Sequence, residues 1–298
     1  MKKIFKRSAK KISQPSNLVS SETIREAPLD KSFYFNYYFN NFKPQHIKLN
    51  NSKFLEWFIG FSEGDGSFII SNKRCYFFIN QKDIKILYKI KANLGFGQVF
   101  KYIQNNTMYG RYIVQDKKNC ERLAHIFNGN LVLHKTNARF QIWIKGLNIT
   151  LLKTKGFITL ENAWLSGFID SEGCFYARVR KHSRMKLKYK VERKFIIDQK
   201  EELHLFERLK ELLSSNAKIQ KKKTQDSIYY KIELSSMLSN DLLLNYLNKF
   251  PCKGNKNISV TIYSRVHGYI KREEHLTIIG LERIRNLCKN LNKQKLIS

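Results

Sequence analysis

The chain has 298 residues, 42% hydrophobic and 13% aromatic, which is enough to build cores for two ordinary domains and too apolar for a disordered tail. Its 55 lysines and arginines stand against 24 acidic residues, a formal net charge of +31 that favours a polyanionic partner and puts nucleic acid ahead of an anionic membrane or an acidic protein. No apolar run approaches the roughly 18 residues of a bilayer span, and the five cysteines, never in CxxC or Cys/His spacing, exclude a zinc or disulfide framework and read as free thiols in a reducing compartment.

Taken in chain order, residues 1–50 form a basic extension. Its start, MKKIFKRSAKKISQ, is poor in acids and lacks the apolar stretch of a secretory signal, so it suits either a targeting segment or an arm that touches phosphates. Asn51 or Ser52 can cap a helix that begins near Lys53, carries apolar residues at 54, 55, 57, 58 and 61, and stops at Gly66. Helices are expected over 83–94 and 118–127, then again over 201–213 and 240–250, with strands between them. A short connection, 149–158, separates the halves, Thr159 caps the next helix, Gly173 ends it, and 272–298 reads as a helical tail.

The chain repeats itself. WFIGFSEGDGSF at 57–68 returns as WLSGFIDSEGCF at 164–175, an offset of 107 from Trp57 to Trp164. YFFINQKDIKIL at 76–87 returns as KFIIDQKEELHL at 194–205, pairing Gln81 with Gln199, and a weaker echo pairs LVLHKTNARFQIWI at 131–144 with CKGNKNISVTIYSRV at 252–266. Two copies of one unit follow, at 51–148 and 159–271. Gly60 and Gly64, with Gly167 and Ser171 in the copy, lie four apart on one helix face, a side-chain-poor strip through which two such helices can approach closely.

After each motif the period changes to two. Tyr176, Arg178 and Arg180 alternate with apolar residues, as do Lys186, Lys188 and Lys190, while Ser67, Ile69, Ser71 and Lys73 follow the first motif. An antiparallel sheet with its apolar face on helices and this face outward can enter a major groove of DNA.

Asp65 and Glu172 each end a predicted helix, where the macrodipole disfavours a carboxylate by roughly 0.3–1 kcal/mol, so something positive is expected to compensate. If the two helices pack through their small strips, the carboxylates converge and can share divalent cations. Magnesium suits hard oxygen ligands, and such a centre can hydrolyse a phosphodiester. Glu63 and Asp170, two positions earlier and about 200° round the helix, point elsewhere and are expected to cap or brace.

These residues closely resemble the LAGLIDADG homing endonucleases: FIGFSEGDG at 58–66 and LSGFIDSEG at 165–173 each align with the nine-residue signature without gaps. The resemblance covers about residues 51–271 and implies an α+β fold, a monomer of two pseudo-twofold-related αββαββα units with antiparallel DNA-binding sheets. It implies double-strand cleavage at a long DNA site in intron homing, with RNA-binding intron maturase activity as the alternative. It further implies metal coordination by Asp65 and Glu172, with Gly64 and Ser171 beside them, Mg²⁺ as cofactor, Mn²⁺ able to substitute and Ca²⁺ supporting binding alone. Gln81 and Gln199 would organise water near the scissile phosphates, and Lys118 would be the basic residue of the first centre, where the second copy offers Ser236. That departure implies unequal cutting of the two strands, and the resemblance implies a mitochondrial setting before a chloroplast one.

Overall fold

The computed structural model describes residues 33–42, 51–154, 156–185 and 187–297. Within the basic extension, Phe33, Phe35 and Tyr38 are buried around the short helix α1 (Asn36–Asn41). Asn130 fastens this segment, its Oδ1 accepting from Tyr34 N and its Nδ2 donating to Tyr34 O, both at 2.9 Å. The rest of the extension, including the basic start, lies outside the described residues.

The first repeat runs α2 (Ser52–Asp65), β1 (Gly66–Ser71), β2 (Arg74–Gln81), α3 (Ile84–Leu94), β3 (Gln98–Gln104), β4 (Thr107–Val114), α4 (Lys117–Phe127) and α5 (His134–Lys145). The second runs α6 (Trp164–Glu172), β5 (Cys174–Lys181), β6 (Tyr189–Lys200), α7 (Leu203–Leu212), β7 (Gln220–Lys223), β8 (Ile228–Leu234), α8 (Met237–Lys249) and α9 (Lys256–Lys271), followed by α10 (Ile278–Ile297), which packs on α9 and β5. Each repeat contributes one antiparallel four-stranded sheet, ordered β1-β2-β4-β3 and β5-β6-β8-β7. The architecture is therefore the expected α+β, αββαββα arrangement. The hairpins of the first sheet close on Asn72–Lys73 and Asn105–Asn106, both pairs in the left-handed region that two-residue turns require and asparagine tolerates.

Asn51 caps α2 as expected, its side chain accepting from Phe54 N at 2.9 Å. Thr159 does not cap α6. Its Oγ1 accepts from Glu161 N and Asn162 Nδ2, holding a turn, and α6 starts only at Trp164. The uncapped N–H groups at that start are met from elsewhere, because the Glu56 carboxylate of α2 accepts Ala163 N at 2.8 Å and Tyr246 Oη accepts Ser166 N at 2.9 Å. Sequence periodicity cannot show a cap supplied from another element.

α2 and α6 form the axis of the molecule, packed face to face. A Cβ on Gly60 would lie 2.0 Å from the Trp164 carbonyl oxygen, and one on Gly167 would lie 1.9 Å from that of Trp57. Only glycine permits this approach, in which each helix rests on the other's backbone. The neighbouring tryptophans are fully buried and reach across: Trp57 Nε1 donates to Asp170 Oδ2 at 3.0 Å and Trp164 Nε1 to Glu63 Oε2 at 2.6 Å. Glu63 and Asp170 thus brace as expected, and they do more. Glu63 accepts the backbone N–H groups of Val132 and Leu133 at the start of α5, and Asp170 those of Lys253 and Gly254 before α9. Two buried acids per molecule tie the axis to a helix start in each repeat.

The interlock predicts that Gly60→Ala and Gly167→Ala each destabilise the fold by about 3 kcal/mol, the upper end of overpacking, because the clash is with backbone that cannot rotate away. Urea unfolding followed by tryptophan fluorescence checks this; a midpoint unchanged in both variants would contradict the interlock.

Candidate metal centre and nucleic-acid interface

Asp65 and Glu172 are the last residues of α2 and α6, and the glycine interlock brings these ends together. A Cβ on Gly64 would sit 3.0 Å from Glu172 Cγ and 2.1 Å from Ser171 Oγ. Gln81, at the end of β2, donates through Nε2 to Asp65 Oδ2 at 2.5 Å. Burial, reinforced by the charge of Glu172, raises the Asp65 carboxyl to about 7, against the pull of Lys256 and the Gln81 hydrogen bond. Burial also raises Glu172, opposed first by Lys135 and reinforced by Asp198. Ser171 gives no side-chain ligand, since Oγ donates to Phe168 O at 2.9 Å, and Gly64 has no side chain, so any role of these two at a metal lies with main-chain carbonyls of a last helical turn.

The basic residues at the centre are not those expected. Lys118 is exposed near the start of α4, beyond Val114. Val114 pairs with Phe77, four residues along β2 from Gln81, or roughly 13 Å at strand rise. Ser236 caps α8, accepting from Ser239 N at 3.1 Å, and Lys231 is paired with Glu233 at 2.7 Å. Instead, Lys135 on α5 donates through Nζ to Gln199 Oε1, and Lys256 opens α9 within electrostatic reach of Asp65, Asp170 and Glu172. Both lysines stand at helix N-termini, which disfavour cations, while both acids stand at C-termini, which disfavour anions. Brought together, the misplaced charges compensate one another. The signal was in the third repeat echo, where Lys135 and Lys256 stand in matching places, and each repeat therefore has its own lysine.

The outward faces of the two sheets differ. Ser67, Ile69 and Ser71 stand outward on β1, opposite Phe78, Tyr76 and Arg74, and Lys73 sits in the hairpin turn. Missed at the sequence level is Arg111, whose guanidinium lies over Phe78 and Tyr102 and whose Nε donates to Asn80 Oδ1 at 2.8 Å. On β5, Tyr176, Arg178 and Arg180 face Lys194, Glu192 and Lys190 across the ladder. Glu192 accepts from Arg178 and Arg180 at 2.8 and 2.6 Å, which pulls its carboxyl down to about 2, and Glu233 likewise joins Lys194 to Lys231. This face is basic but laced with acids that hold its cations in place. Lys188 is not a strand residue as expected: it lies in the turn before β6 at φ 59°, and its Nζ donates to Ser183 O. Lys186 lies outside the described residues. No helix among the described residues is long and apolar enough to cross a membrane.

A family model described as LAGLIDADG endonuclease matches residues 58–147 and 165–267. A "probable intron-encoded endonuclease 4" of Neurospora crassa is 34% identical over 259 residues, 82% of this chain and 45% of that protein, so the chain spans under half of this relative's length. An "intron-encoded RNA maturase bI4" of Saccharomyces cerevisiae is 28% identical over 70% of this chain and 31% of its own. Among solved structures, I-SmaMI bound to its uncleaved DNA target in the presence of calcium ions superposes with a TM-score of 0.63 at 16% identity, over 82% of this chain and 99% of that one, a likeness of fold.

The raised Asp65 carboxyl has a measurable consequence. Folding favours its protonated form, so its contribution to stability is fullest below about pH 4 and is lost as pH rises through about 7. In EDTA at pH 8, Asp65→Asn is therefore expected to be more stable than the parent by about 1–2 kcal/mol after discounting for partial solvent access, and the gain shrinks as pH falls and disappears near pH 4. Thermal melts at both pH values test this, and equal stability at pH 8 would show that the carboxylate is not strained.

Proposed function

The chain belongs to the LAGLIDADG endonuclease family, and on that premise we propose that it is a divalent-metal-dependent, site-specific DNA endonuclease of the intron-homing kind, acting as a monomer and cutting both strands. The observation that carries this reading is the convergence of Asp65 and Glu172 at the paired ends of α2 and α6, each with a glutamine and a lysine from the surrounding elements. Two half-buried carboxylates whose charges oppose one another, with hydrogen-bonding amides beside them, form a hard oxygen donor set that fits Mg²⁺, with Mn²⁺ able to replace it and Ca²⁺ supporting binding. When bound, such ions polarise a phosphodiester and neutralise the charge that develops as it is cleaved.

The chain's own residues do the rest. Asp65 and Glu172, at the paired ends of α2 and α6, would hold the cations. Gln81 and Gln199 sit at matching strand ends, where Gln81 orients Asp65 and Gln199 joins Glu172 to Lys135. Lys135 and Lys256 supply positive charge beside the acids and can balance negative charge on a phosphate. The sheets supply the length of the interface: cations position the phosphate backbone, and the polar and aromatic side chains of β1 to β4 read base edges. A lysine in each repeat removes the expected reason for unequal strand cutting.

The relative named as an RNA maturase supports a second reading, assistance to splicing of an intron RNA on the same basic surface. Splicing assistance does not require the two strained acids, and their retention favours cleavage. The endonuclease relatives are named as intron-encoded, and the bI4 maturase likeness points the same way, which supports a mitochondrial setting.

On a plasmid carrying the intron-free insertion locus, Mg²⁺ is expected to give a single linear product and EDTA none. Asp65→Asn and Glu172→Gln each lower that product at least about 100-fold while DNA binding in Ca²⁺ persists. Metal-independent linearisation, or binding confined to intron RNA, would overturn the reading. Lys135→Ala is expected to slow cleavage by about 10- to 100-fold and Lys118→Ala by less than twofold, measured in single-turnover assays.

A further inference from the structure

We propose that His134, Glu202 and His204 form a second metal site, separate from the acids on the helix axis, that takes a borderline transition dication such as Zn²⁺ and clamps the two repeats together. His134 opens α5 in the first repeat, whereas Glu202 and His204 stand at the start of α7 in the second. One nitrogen of each imidazole and one oxygen of Glu202 all lie within 4.8 Å of one another. His204 Nδ1 is 3.4 Å and His134 Nδ1 3.9 Å from the same oxygen, Glu202 Oε2, and the two rings lie tilted by 33° with centroids 4.0 Å apart. Ligands around a four-coordinate zinc stand roughly 3.3–3.5 Å apart, so the set closes with a small rotation of His134, whose side chain is 76% exposed.

The groups are also chemically available. Glu202 is fully buried, and its carboxylate accepts two backbone N–H groups, from His134 at 3.2 Å and Lys135 at 2.9 Å. Since a carboxylate offers about four lone-pair positions, Oε2 keeps one for a cation. Two imidazoles and one carboxylate with an exposed flank are the donor set of a three-ligand zinc site whose fourth position is filled by solvent. Oxygen-only ligands at Asp65 and Glu172 suit Mg²⁺, so the two sites sort ions by ligand softness.

The placement gives the site a role. Glu202 already spans the repeats by capping α5, and its second N–H donor belongs to Lys135, the residue whose Nζ reaches Gln199. An ion at Oε2 would add His134 and His204 to that link and stiffen the position of Lys135. Asp83 makes the equivalent cross-repeat cap on the other side, accepting Asn255 N at 2.8 Å, but no histidine flanks it, so the metal site is confined to one side of the pseudo-twofold.

The test is calorimetric titration of the untagged full chain with Zn²⁺ in buffer already saturated with Mg²⁺, alongside His134→Ala and His204→Gln. One zinc per chain is expected, bound at least tenfold more weakly by each variant, together with a zinc-dependent rise in melting temperature of about 5 °C that both variants lose. His134 is exposed, so its variant keeps the fold and the comparison stands even if His204→Gln does not. Equal zinc affinity in His134→Ala, or no zinc binding by the parent, overturns the proposal. Because zinc binding and the melt are read without cleavage, neither result depends on the nuclease reading.

Discussion

Everything in this molecule hangs on the place where two helices touch backbone to backbone. Gly60 meets the Trp164 carbonyl and Gly167 meets that of Trp57, so α2 and α6 lie closer than any side chain would allow. Such closeness fixes rotation as well as distance, because only one face of each helix lacks Cβ atoms. With rotation fixed, the last residues of both helices must come together, and those residues are Asp65 and Glu172. The interface that joins the repeats and the interface that builds the site are therefore one contact, and neither can be loosened alone.

The price of that convergence is electrostatic. Burial, and then the neighbouring charge of Glu172, raise the Asp65 carboxyl to about 7, and both acids also oppose the dipoles of their helix C-termini. Lys135 and Lys256 stand in the mirror predicament at helix N-termini. Each acid and each lysine of this set is badly placed with respect to its own helix and well placed with respect to the opposite charges beside it. A site assembled in this way depends on elements from both repeats, and it has no reason to exist in either repeat by itself.

Much of this was legible in the sequence because the chain is written twice. The duplicated motif gave the helix pair, its glycine strip and the two acids, and the period of two gave the sheets. What was not legible came from partners distant in sequence. Thr159 looks like a cap, but Glu56 in the other repeat meets the start of α6. Lys118 matches the basic residue that the resemblance implies beside the acids, but the register of β2 with β4 carries it to the other end of the sheet. The weakest of the three repeat echoes held the lysines that the fold brings beside the two acids, since a helix start keeps its backbone geometry with few residues in common.

The outward faces of the two sheets carry different chemistry. On the first sheet Arg111 is held flat over Phe78 and Tyr102 and anchored by Asn80, so its guanidinium is oriented by aromatic stacking and an amide. On the second sheet the position equivalent to Asn80 is Asp198, opposite Lys231, and Glu192 and Glu233 each hold two cations. An acid that pairs two arginines costs attraction for phosphate but removes much of their rotamer freedom, which leaves less entropy to lose on binding. The first face is thus suited to stacking and amide readout, and the second to a pre-ordered lattice of charge. Since the axis holds both faces in one orientation, a duplex bound across them, as proposed, would meet two chemically different halves, and its sequence is expected to be asymmetric even though the fold is nearly twofold.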